Sequence, residues 1–192
     1  MTLKVTFELS NKDLRHFRAI MREARQAAKQ TPDEEIISAA QGLLDEVAEV
    51  SVPDFVAQRL ARLQRLIDML HDEEWQIPAR ERTRVLNALA YFTEPDDLIP
   101  DHIPGLGFLD DAIMVELVAR ELRHEIEAYE DFCAFRDDLK KKRSAEATAS
   151  ATLSREERLA KRRKALHERM RRRSTRRRRK GRGSSGPRVT LF

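Results

Sequence analysis

The chain has 192 residues, 36% of them charged and 41% hydrophobic, with a formal net charge of +4. That small sum conceals two regions of opposite charge. Residues 1–139 contain 16 Lys and Arg against 29 Asp and Glu, a formal charge of −13. Residues 140–192 contain 21 Lys and Arg against 4 Asp and Glu, a formal charge of +17. The single cysteine excludes an internal disulfide, and the longest uncharged runs, 36–44 and 85–93, are too short for a membrane-spanning helix. The sequence predicts a cytoplasmic protein with one acidic domain, residues 1–139, and a basic tail.

The first predicted element is a short strand at residues 3–9. Apolar and polar residues alternate there, which is typical of a strand with one buried face. Ser10 then predicts the cap of a helix, because Asp13 occupies the capping-box position three residues later. A lone strand leaves its backbone unpaired. Two partners are open: the strand-like segment 189–192 of the same chain, or the same strand of a second copy in a homodimer.

Three prolines predict the starts of the next three helices. Pro32, Pro53 and Pro78 each precede an apolar stripe of helical period, and proline is favoured at the start of a helix. Trp75, which precedes the last of these helices, is predicted to plug one end of the bundle.

The last part of the acidic domain is predicted to be a loop followed by one long helix. Residues 93–109 contain three prolines and two glycines, which indicates a loop. Asp110 is predicted to cap a helix that continues to about Leu139. The whole pattern predicts an all-α fold, a bundle of about five helices with one short N-terminal strand.

The basic region is predicted to have two parts. Residues 140–153 end the bundle and form a linker rich in small residues. Residues 154–192 are predicted to begin with a basic helix, because Ser154 and Glu157 form a second capping-box pattern, and this helix is predicted to end near Arg173. The remainder, rich in Arg, Ser and Gly, is predicted to be disordered.

The loop before the last helix of the acidic domain carries the most specific motif of the chain. Residues 95–111 read PDDLIPDHIPGLGFLDD. This pattern resembles the YkvA family, a bacterial domain of unknown function, in which a helix ending in Tyr is followed by Pro-x-Asp-Leu-Ile-Pro-Asp, x-Ile-Pro, a Gly and an Asp-Asp pair. The resemblance covers about residues 80–125 and implies a helical hairpin without an established reaction. The motif positions are Tyr91, Pro95, Asp97, Pro100, Asp101, Pro104, Gly107, Asp110 and Asp111.

The resemblance also raises the question of a membrane. Several members of the family are thought to be membrane-associated because their flanking helices are very apolar. The flanks here carry charges such as Arg82 and Glu116, which argues against insertion.

Two interpretations of the motif loop are open. In the first, it is a rigid structural corner, because prolines restrict the backbone and Asp101 can accept backbone N–H groups. In the second, four aspartates converge as oxygen ligands of a divalent cation such as Mg²⁺ or Ca²⁺, which makes a metal-dependent enzyme a candidate. No other cofactor and no catalytic residue is predicted, and a non-enzymatic protein is favoured. The four candidate ligands are Asp97, Asp101, Asp110 and Asp111.

The basic tail is the strongest functional signal. Residues 155–182 contain 16 Lys and Arg against 3 acids, and arginine contacts phosphate through a planar fork. The primary predicted function is a non-enzymatic accessory protein that binds nucleic acid, with RNA as the favoured interpretation, by sequence-tolerant and salt-dependent contacts. The predicted binding residues are Lys161, Arg162, Arg163, Lys164, Arg171, Arg172, Arg173, Arg176, Arg177, Arg178, Arg179, Lys180 and Arg182.

Three other destinations for the tail are open. The tail could rest on the acidic domain of its own chain. It could bind an anionic membrane surface, which would make the protein a membrane-surface or protein-interaction adaptor located at the membrane periphery. Residues 188–192 (RVTLF) also loosely resemble the terminal peptide by which bacterial replication and repair proteins hold the sliding clamp, with Arg188 in place of the expected Gln.

Overall fold

The computed structural model describes residues 8–93, 108–145, 154–180 and 189–190. Over these ranges the fold is helical, so the all-α prediction is confirmed. Two short 3₁₀ turns, Ala28–Gln30 and Ala90–Thr93, follow the first and fourth helices. The described ranges contain seven α-helices: α1 (Asn11–Ala27), α2 (Asp33–Ala48), α3 (Asp54–His71), α4 (Ala79–Leu89), α5 (Leu109–Glu121), α6 (Arg123–Ala145) and α7 (Arg155–Lys180).

The helix starts follow the local signals of the sequence. The Ser10 side chain accepts the backbone N–H groups of Lys12 and Asp13, and the Asp13 carboxylate accepts the Ser10 N–H at 2.8 Å. This capping box satisfies donors that the first turn of a helix leaves unpaired. A second box starts α7, where Ser154 and Glu157 exchange hydrogen bonds of 2.7 and 3.2 Å. Both predicted caps are confirmed. Helices α2, α3 and α4 begin directly after the three predicted prolines.

The predicted long helix from 110 to 139 is wrong, because the chain forms two helices there. Helix α5 ends at Glu121, and α6 begins at Arg123. Leu122, which is fully buried, joins them with φ −97° and ψ 15°. The apolar period continues through the junction, so the sequence pattern does not reveal it. Residues 109–119 of α5 are all buried, which identifies α5 as the central helix of the bundle.

The tail also differs from its prediction. Helix α6 continues to Ala145, so the first part of the predicted linker is helical. The predicted end of the basic helix near Arg173 is wrong, because the backbone of α7 is helical as far as Lys180. By itself this segment has too few apolar residues to offset the entropy of ordering. It is ordered because it packs against α6, as described below. The division of the predicted long helix into α5 and α6 gives six helices in the acidic domain instead of five, and the predicted basic helix, α7, is the seventh.

The ends of the chain meet in a two-stranded sheet. Strand β1 (Glu8–Leu9) pairs antiparallel with β2 (Val189–Thr190), with Glu8 opposite Thr190 and Leu9 opposite Val189. The remainder of the predicted N-terminal strand lies outside the described residues. Of the two partners that the sequence left open, the structure shows the one within the chain. A homodimer through this strand and a sliding-clamp contact through the C-terminal peptide stay predictions.

The hydrophobic core is one cluster that receives side chains from every α-helix. Trp75, from the connection between α3 and α4, is fully buried in it. Helix α1 contributes Leu14, Met21 and Ala24, and α7 contributes Leu159, Leu166 and Met170. The acidic domain and the start of the basic region therefore share one core.

Candidate functional site

Helix α7 packs antiparallel to α6. Its three large buried residues, Leu159, Leu166 and Met170, are spaced by seven and four positions, so they lie on one face of the helix. Residues near the end of α7 contact the beginning of α6, as Arg173 contacts Glu127 and Arg169 contacts Asp131. This hairpin fixes which side of α7 faces the body and which side faces solvent.

Trp75 fills the space between the two helices. Its ring centroid lies 5.2 Å from that of Phe132 and 5.7 Å from that of Tyr129, both on α6. On the other side, it lies 4.4 Å from the ring of His167 on α7, in an edge-to-face arrangement. Aromatic pairs at these distances add to the free energy gained by burial. The predicted burial of Trp75 is confirmed, and its ring contacts join α7 to the bundle.

Asp72 holds the Trp75 loop against α6. One carboxylate oxygen accepts the backbone N–H groups of Glu74 and Trp75 at 2.9 and 3.0 Å. The other accepts the Tyr129 hydroxyl at 3.0 Å and the Arg136 guanidinium at 2.7 Å. Burial, together with the neighbouring Asp72 charge, raises the pKa of Tyr129. The hydroxyl therefore stays protonated and serves as a donor.

Several cations of α7 are directed at the body. Arg155 pairs with the Glu74 carboxylate at 2.7 Å, and this hydrogen bond is the main cause of the lowered pKa of Glu74. Arg163 donates to the Glu74 backbone carbonyl at 2.9 Å. Arg173 pairs with Glu127 at 2.7 Å, and the Arg162 guanidinium lies 5.5 Å from the ring centroid of Phe135. Three predicted nucleic-acid-binding residues, Arg162, Arg163 and Arg173, therefore contact the protein itself.

Four other cations of the predicted set face solvent. Lys161, Lys164, Arg171 and Arg172 are exposed on the side of α7 opposite its apolar stripe. Glu168 is an exposed acid among them. The backbone of residues 176–180 continues the helix, whereas Arg182 lies outside the described residues. The structure thus divides the predicted binding set into an inner and an outer group.

A second basic helix, α1, escaped the sequence analysis. Residues 1–30 contain 7 Lys and Arg against 3 acids, although the domain that includes them is strongly acidic. A charge sum over 1–139 hides this local excess, and a sum over a window of one helix would reveal it. The exposed cations of this helix and the turn after it are Lys12, Arg15, Arg18, Arg22 and Lys29.

The structure describes three of the motif residues. Tyr91 is buried in the turn after α4, and Asp110 and Asp111 are buried in the first turn of α5. The prediction that Asp110 caps the helix is wrong, because α5 begins at Leu109, after Phe108 with φ 63°. Both carboxylates lie where the helix dipole favours negative charge. The predicted motif residues outside the described ranges are Pro95, Asp97, Pro100, Asp101, Pro104 and Gly107.

The predicted cation site therefore stays a prediction, as does the enzyme that would use it. Two of its four aspartates lie outside the described residues. Among the residues that the structure does describe, no group of three His, Cys, Asp or Glu side chains is arranged to hold a metal ion.

Buried ion pairs flank the motif. Glu116 of α5 pairs at 2.7 Å with both Arg62 and Arg120. Glu125 of α6 pairs with Arg84 of α4, and burial raises the pKa of Glu125. A buried carboxylate is tolerated when a guanidinium compensates its charge. These pairs join α3 to α5 and α4 to α6, in a region where the family resemblance leads one to expect apolar helices.

Comparison with known proteins bears on this central part of the chain. Residues 82–117 match the model of the DUF1232 family, described as a protein of unknown function. This segment is YkvA-like. A protein of Bacillus subtilis (strain 168), described as "Uncharacterized membrane protein YkvA", is 44% identical over 43 residues, which cover 22% of this chain and 41% of that relative. The predicted resemblance is confirmed for this segment. No solved structure matches the chain.

The YkvA-like segment and the basic helices are different parts of the molecule. The segment begins within α4 and ends within α5. Helices α1 and α7 lie outside it, so the match carries no information about their cations. The relative's description mentions a membrane. In the ranges that the structure describes here, none of the helices has the length and apolar character needed to cross one.

Proposed function

We propose that this protein is a non-enzymatic accessory protein that binds nucleic acid, with RNA as the favoured ligand class, through the outer face of α7. One observation carries the proposal: Lys161, Lys164, Arg171 and Arg172 face solvent on a helix whose opposite side is anchored in the core. Anchoring presents these cations in a fixed row about 16 Å long, at 1.5 Å per residue. Less side-chain and backbone freedom is then lost when a polyanion binds.

The chemistry of this face suits phosphate and not bases. Its described side chains include no aromatic residue on which a base could stack. Binding is therefore electrostatic, tolerant of sequence and strongly dependent on salt. We propose RNA because arginine-rich segments such as the one that continues beyond Arg173 are a recurrent RNA-binding element.

The proposal narrows the predicted set of binding residues. Arg163 donates a hydrogen bond to the Glu74 carbonyl, and Arg173 donates one to the Glu127 carboxylate. The Arg162 guanidinium lies over the Phe135 ring. We assign these three to docking α7 on the body. The outer group, together with the run from Arg176 to Arg182, is assigned to the polyanion.

A charge-neutralised variant tests the proposal. We expect Lys161→Gln, Lys164→Gln, Arg172→Gln to lower the slope of log K against log salt by about 2, since each phosphate contact on single-stranded RNA contributes about 0.7. The matched control removes three exposed cations elsewhere: Arg65→Gln, Arg80→Gln, Arg123→Gln. Equal slopes for the wild type and the α7 variant would contradict the proposal.

A membrane-surface adaptor is the second candidate, because the relative is described as a membrane protein. On this account the same outer face would bind anionic lipid headgroups. Among the described side chains, the exposed large hydrophobic residue is Val50, on neither basic helix, so binding would be peripheral. Co-sedimentation with phosphatidylserine vesicles, with and without competing RNA, separates the two candidates. Failure to sediment even without competitor would exclude the membrane account.

A further inference from the structure

We infer that α1 carries a second nucleic-acid-binding surface, a basic ridge formed by Arg15, Arg18, Arg22 and Lys29. The inference rests on the proposed function, because it assigns the same ligand to a part of the acidic domain. It extends the binding surface from the tail to the first helix of the bundle.

The spacing of the ridge places its cations on one side of α1. Positions 15, 18, 22, 25 and 29 follow one another by three or four residues, which is the spacing of one helix face. The four ridge residues are exposed. Arg25, in the same row, is half-buried and donates to Glu121 and to the Asn87 carbonyl, both at 2.9 Å. This contact ties the row to α4 and α5, so the ridge has a fixed direction on the bundle.

The shape of the ridge indicates an extended ligand. From Arg15 to Lys29 it is about 21 Å long, at 1.5 Å per residue. A small anion such as free phosphate needs cations that converge on one point, whereas a row of cations matches a polymer with a charge at regular intervals. The described side chains of α1 include no exposed large apolar residue that could enter a bilayer. Both features favour a nucleic-acid backbone over a membrane.

A short stretch of sequence connects the end of α7 to the strand that pairs beside the start of α1. Strand β2 pairs with β1, which ends one residue before α1 begins at its Ser10 cap. Only residues 181–188 separate the end of α7 from β2. The nine steps from one residue to the next, of at most about 3.6 Å each, reach no farther than about 32 Å. That connection contains Arg182 and Arg188. The length of this connection limits how far the end of α7 can lie from the start of α1.

The test compares salt dependence in the full chain. We expect Arg15→Gln, Arg18→Gln, Arg22→Gln to lower the slope for a single-stranded RNA by about 2, and to weaken binding at least about tenfold at low salt. The charge-preserving variant Arg15→Lys, Arg18→Lys, Arg22→Lys should keep the wild-type slope. The control Arg65→Gln, Arg80→Gln, Arg123→Gln should also keep it. All substituted positions are exposed, and unchanged thermal unfolding would verify the fold.

The outcomes separate this inference from the proposed function. A lower slope in both the α1 and the α7 variants supports both. If only the α7 variant has a lower salt slope, the inference about the α1 ridge is wrong and the proposed function stands. If only the α1 variant has a lower salt slope, the ridge is supported and the proposed α7 site is wrong. Wild-type slopes in both variants overturn both. If the α1 variant keeps its RNA slope but no longer binds phosphatidylserine vesicles, the ridge is a lipid-binding surface and the inference is wrong.

Discussion

The two basic helices, α1 and α7, start alike and are held differently. Each begins with a capping box and carries a row of cations. Helix α1 packs on α4 and on the turn after it, as part of the bundle. Helix α7 packs mainly on α6, through three large apolar residues and several arginines. The comparison shows that two helices of similar composition can pack differently: α1 contacts several elements of the bundle, and α7 contacts mainly one helix.

The cations reflect this difference. Among the described contacts of α1, Arg25 alone of its arginines forms an ion pair, with Glu121. In α7, arginines near the apolar stripe pair with acids of the body, as Arg169 does with Asp131. These ion pairs add to the docking energy that the apolar stripe of α7 provides. We expect α7 to open at a lower free energy than α1 does, because α7 packs mainly on one helix whereas α1 packs on several elements of the bundle.

The largest expected effect comes from the residue that joins α7 to the bundle. Trp75→Ala removes a fully buried ring that contacts both α6 and α7, and should cost about 3–5 kcal/mol. Urea unfolding measures the total, and amide hydrogen exchange locates it. Amides of α7 should lose protection before those of α1. Equal loss of protection in both helices would show that α7 unfolds together with α1 and not before it.

A matched pair of smaller substitutions sharpens the comparison. Leu166→Ala in α7 and Leu14→Ala in α1 remove the same atoms from positions that are 2% and 1% exposed. Each should cost about 2–4 kcal/mol. The α7 variant should release α7 alone, making its arginines susceptible to trypsin, whereas the α1 variant should lower the global free energy of unfolding. Trypsin resistance of α7 in Leu166→Ala would argue against independent docking.

Acidification should loosen α7 through His167. Burial lowers the pKa of His167 to about 4, and Arg163 and Arg171 add to the effect. In the undocked helix the imidazole has its ordinary pKa near 6.5. Above that pH the imidazole is neutral in both states, so the contribution of His167 to docking is complete. This contribution is lost as the pH falls from about 6.5 toward 4, because in that range His167 of the released helix binds a proton that His167 of the docked helix does not.

Hydrogen exchange of α7 across this pH range provides the measurement. His167→Gln should flatten the dependence, and His71→Gln, at an exposed position, should leave it unchanged. Glu74, whose pKa is lowered by Arg155, loses its contribution only at lower pH, below the usual range of a glutamate. An unaltered pH profile in His167→Gln would rule out this residue as the cause.

The smallest effect is expected from the ion pairs. Glu127→Gln with Asp131→Asn removes the partners of Arg173 and Arg169, and all four side chains are more than one-third exposed. Each pair should contribute no more than about 1 kcal/mol to docking. The two freed arginines should strengthen RNA binding by about two- to threefold in a low-salt titration. Weaker RNA binding in this variant would mean that docking of α7 is itself required for binding.

Local signals in the sequence predicted the elements whose causes are local. The capping boxes at Ser10 and Ser154 and the proline starts depend on residues within one turn, so they are visible in the sequence. Trp75 was recognisable as a plug because a lone tryptophan beside a helix start is seldom exposed. The junction at Leu122 was not recognisable, because the apolar period continues through it.

The sequence by itself determined the helical class, the starts of α1 to α4 and of α7, and the YkvA-like segment. Only the tertiary structure decided which cations face the body, because their partners are distant in the chain: Arg169 contacts Asp131, 38 residues away, and Arg163 contacts the Glu74 carbonyl, 89 residues away. A helical period states which residues share a face, but not what that face meets. The partner helix α6 and the Trp75 loop supplied that information. They turned a segment predicted to end in disorder into a helix that is docked on α6 and has one face exposed to solvent.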